Sequence, residues 1–292
     1  MTMCKIHVND EAKIDPTRTR TLRERFMRDA NKRFRKVRGR IRDKIVDDDG
    51  FGLKTNRRDF AFDRSSDKIA AFMEWLEGVQ REEVLGVMSG TPMRRAGAEA
   101  WTSTYVQSAY SAGVRQAASR MKGRGAEVSD RWIQAAFNRP IHADRLGIAY
   151  TRTFTELRGI TEAMDQQISR ELAQGLGEGL NPRDIARRIN DRVEKIGATR
   201  AKTLARTEVI NAHAEATLNS YEEAGVEGVE VLAEFTTAGD SLVCPICEDL
   251  ERRVAADGGW SLDRARGVIP VHPNCRCVWT PMVPDMRGTE LR

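Results

Sequence analysis

The chain has 292 residues, of which 31% are charged and only 6% aromatic. That is length enough for two domains, and the composition favours long, surface-rich helices over a compact enzyme core. Net charge is a modest +5, and no segment reaches the run of about eighteen apolar residues that a membrane span needs, so no membrane partner is expected.

The first predicted element is a basic helix over 16–46. Leu22, Phe26, Ala30, Phe34, Val37, Ile41 and Ile45 recur in steps of three and four, which makes one apolar face. Asp15 before Pro16 reads as its N-cap and first turn. From Arg18 to Lys44, thirteen Lys/Arg stand against three acids, a local net of +10. Arg33, Arg35, Lys36 and Arg38 stand for the polar face. Such a face suits nucleic acid, because neutralised phosphates release counterions, or an acidic protein surface. It is also what a solvated helix shows, since Arg and Lys are good helix formers. A membrane-surface role fits less well without tryptophan at the boundary.

A turn-rich break at Asp47-Asp48-Asp49-Gly50 follows. Ser65 and Ser66 then cap a helix carrying Ile69, Phe72, Met73, Leu76 and Val79. Ser89-Gly90-Thr91-Pro92 stops it and starts another, expected to run from about Met93 to Met121. Its Ala109, Ala112, Gly113 and Ala117 allow close helix approach. Lys122-Gly123-Arg124-Gly125 breaks it. A long helix is expected from His142 to Leu176, with His142 a surface residue at its start. Gly175, Gly177 and Gly179 form a connector before Asn181-Pro182, a capped helix start. That helix is expected to end at Gly197. A second one then runs from about Thr199 to Ala224, with Leu204, Ile210 and Leu218 inward. It also carries Arg206, Thr207 and Glu208, whose charges either form a buried ion pair or sit outside. His213 reads as helix surface or a satisfied core histidine.

After Gly225 the period changes. Val229, Val231 and Ala233 lead into a strand at Phe235, and Asp240 sits in a turn. Arg253-Val254-Ala255 and Cys277-Val278-Trp279-Thr280 read as two further short strands, with a mobile loop over 256–269. Four of the five cysteines and one of the four histidines converge here. They read Cys244-Pro245-Ile246-Cys247 and, 24 residues on, His272-Pro273-Asn274-Cys275-Arg276-Cys277. A Cys-x-x-Cys pair and a second cluster can complete a tetrahedron around an ion. Cys244, Cys247 and His272 are the first choices, and the fourth ligand is Cys275 or Cys277. Reduced thiols without metal and disulfides are the alternatives. Disulfides are disfavoured because residues 1–20 hold no apolar run of secretory length and Cys4 leaves an odd count. Soft ligands in excess point to a structural rather than a catalytic ion.

The fold class that follows is a mainly α N-terminal helical region with a small, zinc-stabilised α+β C-terminal domain. Its segments are a basic helical arm (1–64), a helical region (65–179), the C-terminal domain (180–285) and a tail (286–292).

One ordered series of motifs carries a family resemblance. It runs Ala205-Arg206-Thr207-Glu208, Asn211 to Ala216, Tyr221 to Gly225-Val226, Thr237-Ala238-Gly239-Asp240, Cys244-Pro245-Ile246-Cys247 and His272-Pro273-Asn274-Cys275-Arg276-Cys277. The series resembles the C-terminal domain of phage Mu F-like minor head proteins, which include the SPP1-type head morphogenesis proteins. The departure is the long 256–269 loop, where a shorter Asp-Gly hairpin is expected; Asp257-Gly258 is its remnant. The resemblance implies a minor capsid component in the virion interior, and in the host cytoplasm during assembly. It would associate with the portal protein and other head proteins, and some members contact double-stranded DNA. Arg206, Glu208 and Asp240 are then structural.

Other classes fit less well. A His-Asn-His-type nuclease would need an Asp-His pair after the first cysteines and a closing Cys-x-x-Cys. An ADP-ribosylating transferase would need its arginine and glutamate far apart, whereas Arg206 and Glu208 are two residues apart. A zinc-dependent DNA-binding regulator would need a helix after Cys277, which Pro281 and Pro284 discourage. No nucleophile–base–orienter set emerges, so no enzymatic activity is expected.

Overall fold

The computed structural model describes residues 15–51, 65–88, 90–226, 231–282 and 290–291. The expectations placed on Cys4, Ser89 and Val229, and most of the 286–292 tail, lie outside them. Among the described residues helices dominate, with two two-stranded sheets beside them. The chain divides into two compact units, each assembled from separated segments.

The unit made of 25–102 and 151–204 is all helical among its described residues. Helix α1 (Arg20–Arg42) continues through a π-turn, Asp43–Asp47. As the periodicity requires, Phe26, Ala30, Phe34, Val37, Ile41 and Ile45 are buried. Trp101 anchors the helix: its ring stands edge-on to Phe26 at 5.3 Å and lies under the Arg33 guanidinium at 4.6 Å. Helix α2 (Ser65–Gln80) buries Phe72, Leu76 and Val79. The expected single helix from Met93 is two, α3 (Met93–Glu99) and α4 (Ser103–Gly123). Ala100 turns extended, with ψ 148°, and the break seats Trp101, whose indole N–H donates to the Val84 carbonyl.

The start of α1 also differs from expectation. Asp15 does not cap the helix at Pro16. Its carboxylate accepts from the Thr17 and Thr19 amides and pairs with Arg23, holding a turn that delays the helix to Arg20. Helix α6 (Pro140–Gly177) and helix α7 (Pro182–Val226) each contribute to both units. Asn181 caps α7 by accepting from the Asp184 amide, as its sequence predicts. The break expected at Gly197 is absent. Glycine is there for space, since a Cβ would lie 2.9 Å from the Phe34 ring, and one continuous helix results.

The other unit comprises 1–24, 103–150 and 205–292. Helix α4 packs on α7 with its small residues, and Gly113 sits where a Cβ would collide with the His213 carbonyl and come within 2.7 Å of Ala216. Strand β1 (Glu127–Val128) pairs parallel with β4 (Glu290–Leu291), and helix α5 (Asp130–Ala135) buries Trp132. Strand β2 (Leu232–Thr236) pairs antiparallel with β3 (Val278–Met282). The strand expected at Arg253-Val254-Ala255 belongs instead to helix α8 (Pro245–Ala256), because Val254 with Leu250 and Cys247 makes a helical buried face. The 256–269 segment is ordered by packing. Trp260 exchanges backbone hydrogen bonds with Ala233, helix α9 (Leu262–Ala265) follows, and Ala265 and Ile269 are buried.

His142 is not at the surface; it is fully buried. Asn219 Nδ2 donates to Tyr110 Oη, so the tyrosine's one proton goes to His142 Nδ1 at 3.0 Å. That leaves the His142 proton on Nε2, facing Glu223 at 3.4 Å, and Glu223 also pairs with Arg139. Burial, then the nearby Arg139 charge, pushes the His142 pKa down to about 4. His213 is a core histidine, driven to about 3 by burial and then Arg120, and no hydrogen-bond partner for its Nε2 lies among the described residues.

Gly113→Ala should destabilise by about 2 kcal/mol or more in urea unfolding, as overpacking against backbone does. Gly39→Ala, with open space around an exposed site, should stabilise by up to about 1 kcal/mol. A third outcome concerns pH. Unfolded histidine titrates near 6.5, above the folded values, so the unfolded chain binds more protons between those limits. Stability is therefore complete above pH 6.5 and erodes as pH falls toward 4, by about 3 kcal/mol for His142 alone. The test is the difference in slope of unfolding free energy against pH between wild type and His142→Gln, which should flatten by about one proton.

Candidate metal centre

The donors come from two short stretches flanking the β2–β3 ladder. Cys244 is the N-cap of α8 and Pro245 its first residue, a position proline favours because its missing N–H would be unpaired anyway. The Cys-x-x-Cys is thus a helix start rather than a free turn. Cys247 falls in the first helical turn, buried, where its hydrogen bonds to Cys275 and Cys277, and then burial, hold its thiol well above the usual range.

The second stretch is a tight turn. The Cys275 amide donates to the His272 carbonyl, and Asn274 takes φ 67°. Asparagine tolerates that left-handed conformation better than most residues; the Pro-Asn before Cys275 was the legible signal for it. His272 Nδ1 lies 2.8 Å from the Pro273 carbonyl and so carries the proton, leaving Nε2 with a lone pair. Nε2 faces Cys244 Sγ at 3.2 Å and Cys247 Sγ at 3.3 Å.

All five sequence-predicted donors therefore come together. They form two triads, Cys244–Cys247–His272 and Cys247–Cys275–Cys277, with the ligand atoms of each within 4.8 Å of one another. Bonds of about 2.3 Å to sulfur in a tetrahedron place donors a little under 4 Å apart, so the cluster could hold a metal ion. Hydrogen bonds from the Cys247 and Cys277 thiols hold the Cys275 thiol well below its usual range, with the Cys277 and Val271 amides adding to them against the effect of burial. Its sulfur is the natural thiolate of the cluster.

Two of the three residues read from the sequence as structural, Asp240 and Arg206, contact this turn. Asp240 accepts both arms of Arg276, at 2.7 and 2.8 Å, and the Leu242 amide. The Arg276 hydrogen bonds hold its carboxyl below the usual carboxylate range. Since Arg276 lies between Cys275 and Cys277, the pair fixes both sulfurs' backbone. Arg206 on α7 donates to the Asn274 side chain at 3.3 Å. Glu208 is buried on the same helix.

Residues 166–280 match the family model for phage Mu protein F like proteins. No curated protein and no solved structure matches the chain. The Mu F-like segment begins within α6 and ends in β3, so it includes all five donors as well as Arg206, Glu208 and Asp240. The four cations singled out on α1 lie outside the Mu F-like segment. Arg33 is folded over Trp101 and donates to the Glu83 carbonyl. Lys36 pairs with Glu83 and Arg38 with Glu194. Arg35 is exposed. The Tyr110–His142–Glu223 line escaped sequence reasoning because its members are scattered across three helices with no local spacing to mark them.

Cys247 belongs to both triads. Cys247→Ser should therefore abolish metal retention, whereas only one of Cys275→Ser and Cys277→Ser should do so. Metal content per chain by mass spectrometry after gel filtration is the measurement.

Proposed function

We propose that this protein is a phage minor head protein acting in head morphogenesis, associated with the portal during procapsid assembly and carrying one structural zinc. The observation that carries the reading is the Mu F-like segment, with its five soft donors gathered at one point. Sulfur-rich sets with one imidazole are the donor chemistry of structural zinc, and four protein ligands leave no open position for a reacting water. Cys244, Cys247 and His272 with Cys275 or Cys277 would hold the ion. Its binding energy, on the order of 10 kcal/mol, then becomes folding energy of this small module.

The protein's role is assembly rather than catalysis. Among the described histidines, His142 and His213 are sealed in the core and His272 turns to the sulfurs. No helix of the described residues is long and apolar enough to cross a membrane, which fits a partner set of portal, other head proteins and packaged DNA. The protein would then reside in the virion and, during assembly, in the host cytoplasm.

Protein purified without a histidine tag should contain about one zinc per chain and lose thermal stability on chelation. Procapsids assembled with the cognate portal should contain it, and plasmid DNA incubated with it and divalent ions should stay intact. Absence from heads overturns the assembly reading. DNA cleavage that disappears in His272→Ala would instead support a His-Asn-His-type nuclease.

A further inference from the structure

The cations of α1 divide into two sets. Most are spent within the protein: Arg20 on Glu24, Arg23 on Asp15, Lys36 on Glu83, Arg38 on Glu194, Arg40 on Glu82 and Glu83, and Arg42 on Asp43. Arg33 covers Trp101. Arg25, Arg28, Lys32 and Arg35 differ. All four are exposed and, among the described residues, have no ion-pair or hydrogen-bond partner for their side chains.

These four are not scattered. Their steps of three, four and three place them within an arc of about 80° at 3.6 residues per turn, along about 15 Å of helix. Glu24 and Asp29, each next in sequence to one of the four, both fall outside that arc, and Glu24 pairs with Arg20. Every exposed side chain of α1 is polar or charged, and none is apolar. Protein interfaces have an apolar, aromatic-rich centre depleted of charge. A straight file of unneutralised cations with no apolar contact suits a polyanion instead. Each duplex strand carries a charge about every 3.4 Å of helix axis, so the file spans about four phosphates of one strand.

We propose that Arg25, Arg28, Lys32 and Arg35 form the surface by which this protein docks on the phosphate backbone of double-stranded DNA. This deepens the head-protein reading by naming its DNA-facing surface. The contact is independent of base sequence, because nothing in the file reads a base edge. It replaces Arg33, Lys36 and Arg38, whose charges serve internal contacts.

The test compares two variants of the full chain on a random-sequence duplex across a salt series. The quadruple variant Arg25→Gln, Arg28→Gln, Lys32→Gln and Arg35→Gln should keep the wild-type melting curve, since it removes no internal contact. Its affinity should fall roughly tenfold or more, and the slope of log affinity against log salt should flatten by about three to four. The control Lys36→Gln with Arg38→Gln should change both far less. Equal losses in the two variants would overturn the proposal by showing that net charge alone matters. Unchanged duplex binding in the quadruple variant, or loss only of polyglutamate binding, would overturn it as well. Incorporation into heads, measured on the same variants, keeps the two readings apart. Wild-type protein that binds duplex through these residues but never enters heads sinks the assembly role and leaves the DNA surface standing.

Discussion

Cys247 sits where both halves of the Cys/His cluster meet, its sulfur 3.3 Å from His272 Nε2 and grouped with Cys275 and Cys277. That convergence depends on the β2–β3 ladder. Thr236 opposes Val278 at the ladder's end, so the chain leaving β2 and the chain entering β3 start side by side. Asp240 follows one strand and Arg276 precedes the other, and their paired hydrogen bonds extend the join past the last ladder bond. Cys244 opens α8 four residues after Asp240, while Cys275 and Cys277 flank Arg276. The donors are therefore neighbours because two antiparallel strands are.

Beneath this module lies a core whose packing tolerates little change. Gly113 lets α4 approach the α7 backbone at His213, and in the same unit Phe235 stands edge-on to Trp279 at 5.4 Å while Trp260 lies tilted against it at 6.3 Å. A polar line crosses the same unit from Arg266 through Asn219, Tyr110 and His142 to Glu223 and Arg139. Buried polar groups cost free energy unless partnered, and here each interior member hands its hydrogen bond to the next. Such a line fixes one arrangement of α4, α6 and α7, since sliding any helix by one turn would strand several groups at once.

Over residues 18–44, which contain α1, the local net of +10 splits by tertiary context into cations that serve the fold and cations that face outward. Composition alone cannot make that division. Glu83 takes Lys36 and Arg40, and Glu194 takes Arg38. Glu83 and Glu194 are distant in sequence from α1, and nothing near residues 33–38 announces them.

The sequence by itself determined the helices with strong periodicity, the cap at Asn181, the strand through Phe235 and the five residues that gather at the candidate metal centre. In each case the signal is local: an apolar repeat, a side chain reaching its own backbone, or a pair of cysteines three residues apart. Tertiary structure decided what depends on a partner far along the chain. Gly197 reads locally as a helix stop, yet it lies inside a 45-residue helix because Phe34 occupies the space a side chain would need. Val254 alternates well enough for a strand, but the buried face it shares with Cys247 and Leu250 is helical. His142 looks like a polar residue at a helix start and is buried because Tyr110 and Glu223, 32 and 81 residues away, satisfy both of its nitrogens. Local propensity costs at most about 1 kcal/mol for a glycine in a helix, and burial of one large side chain outweighs it.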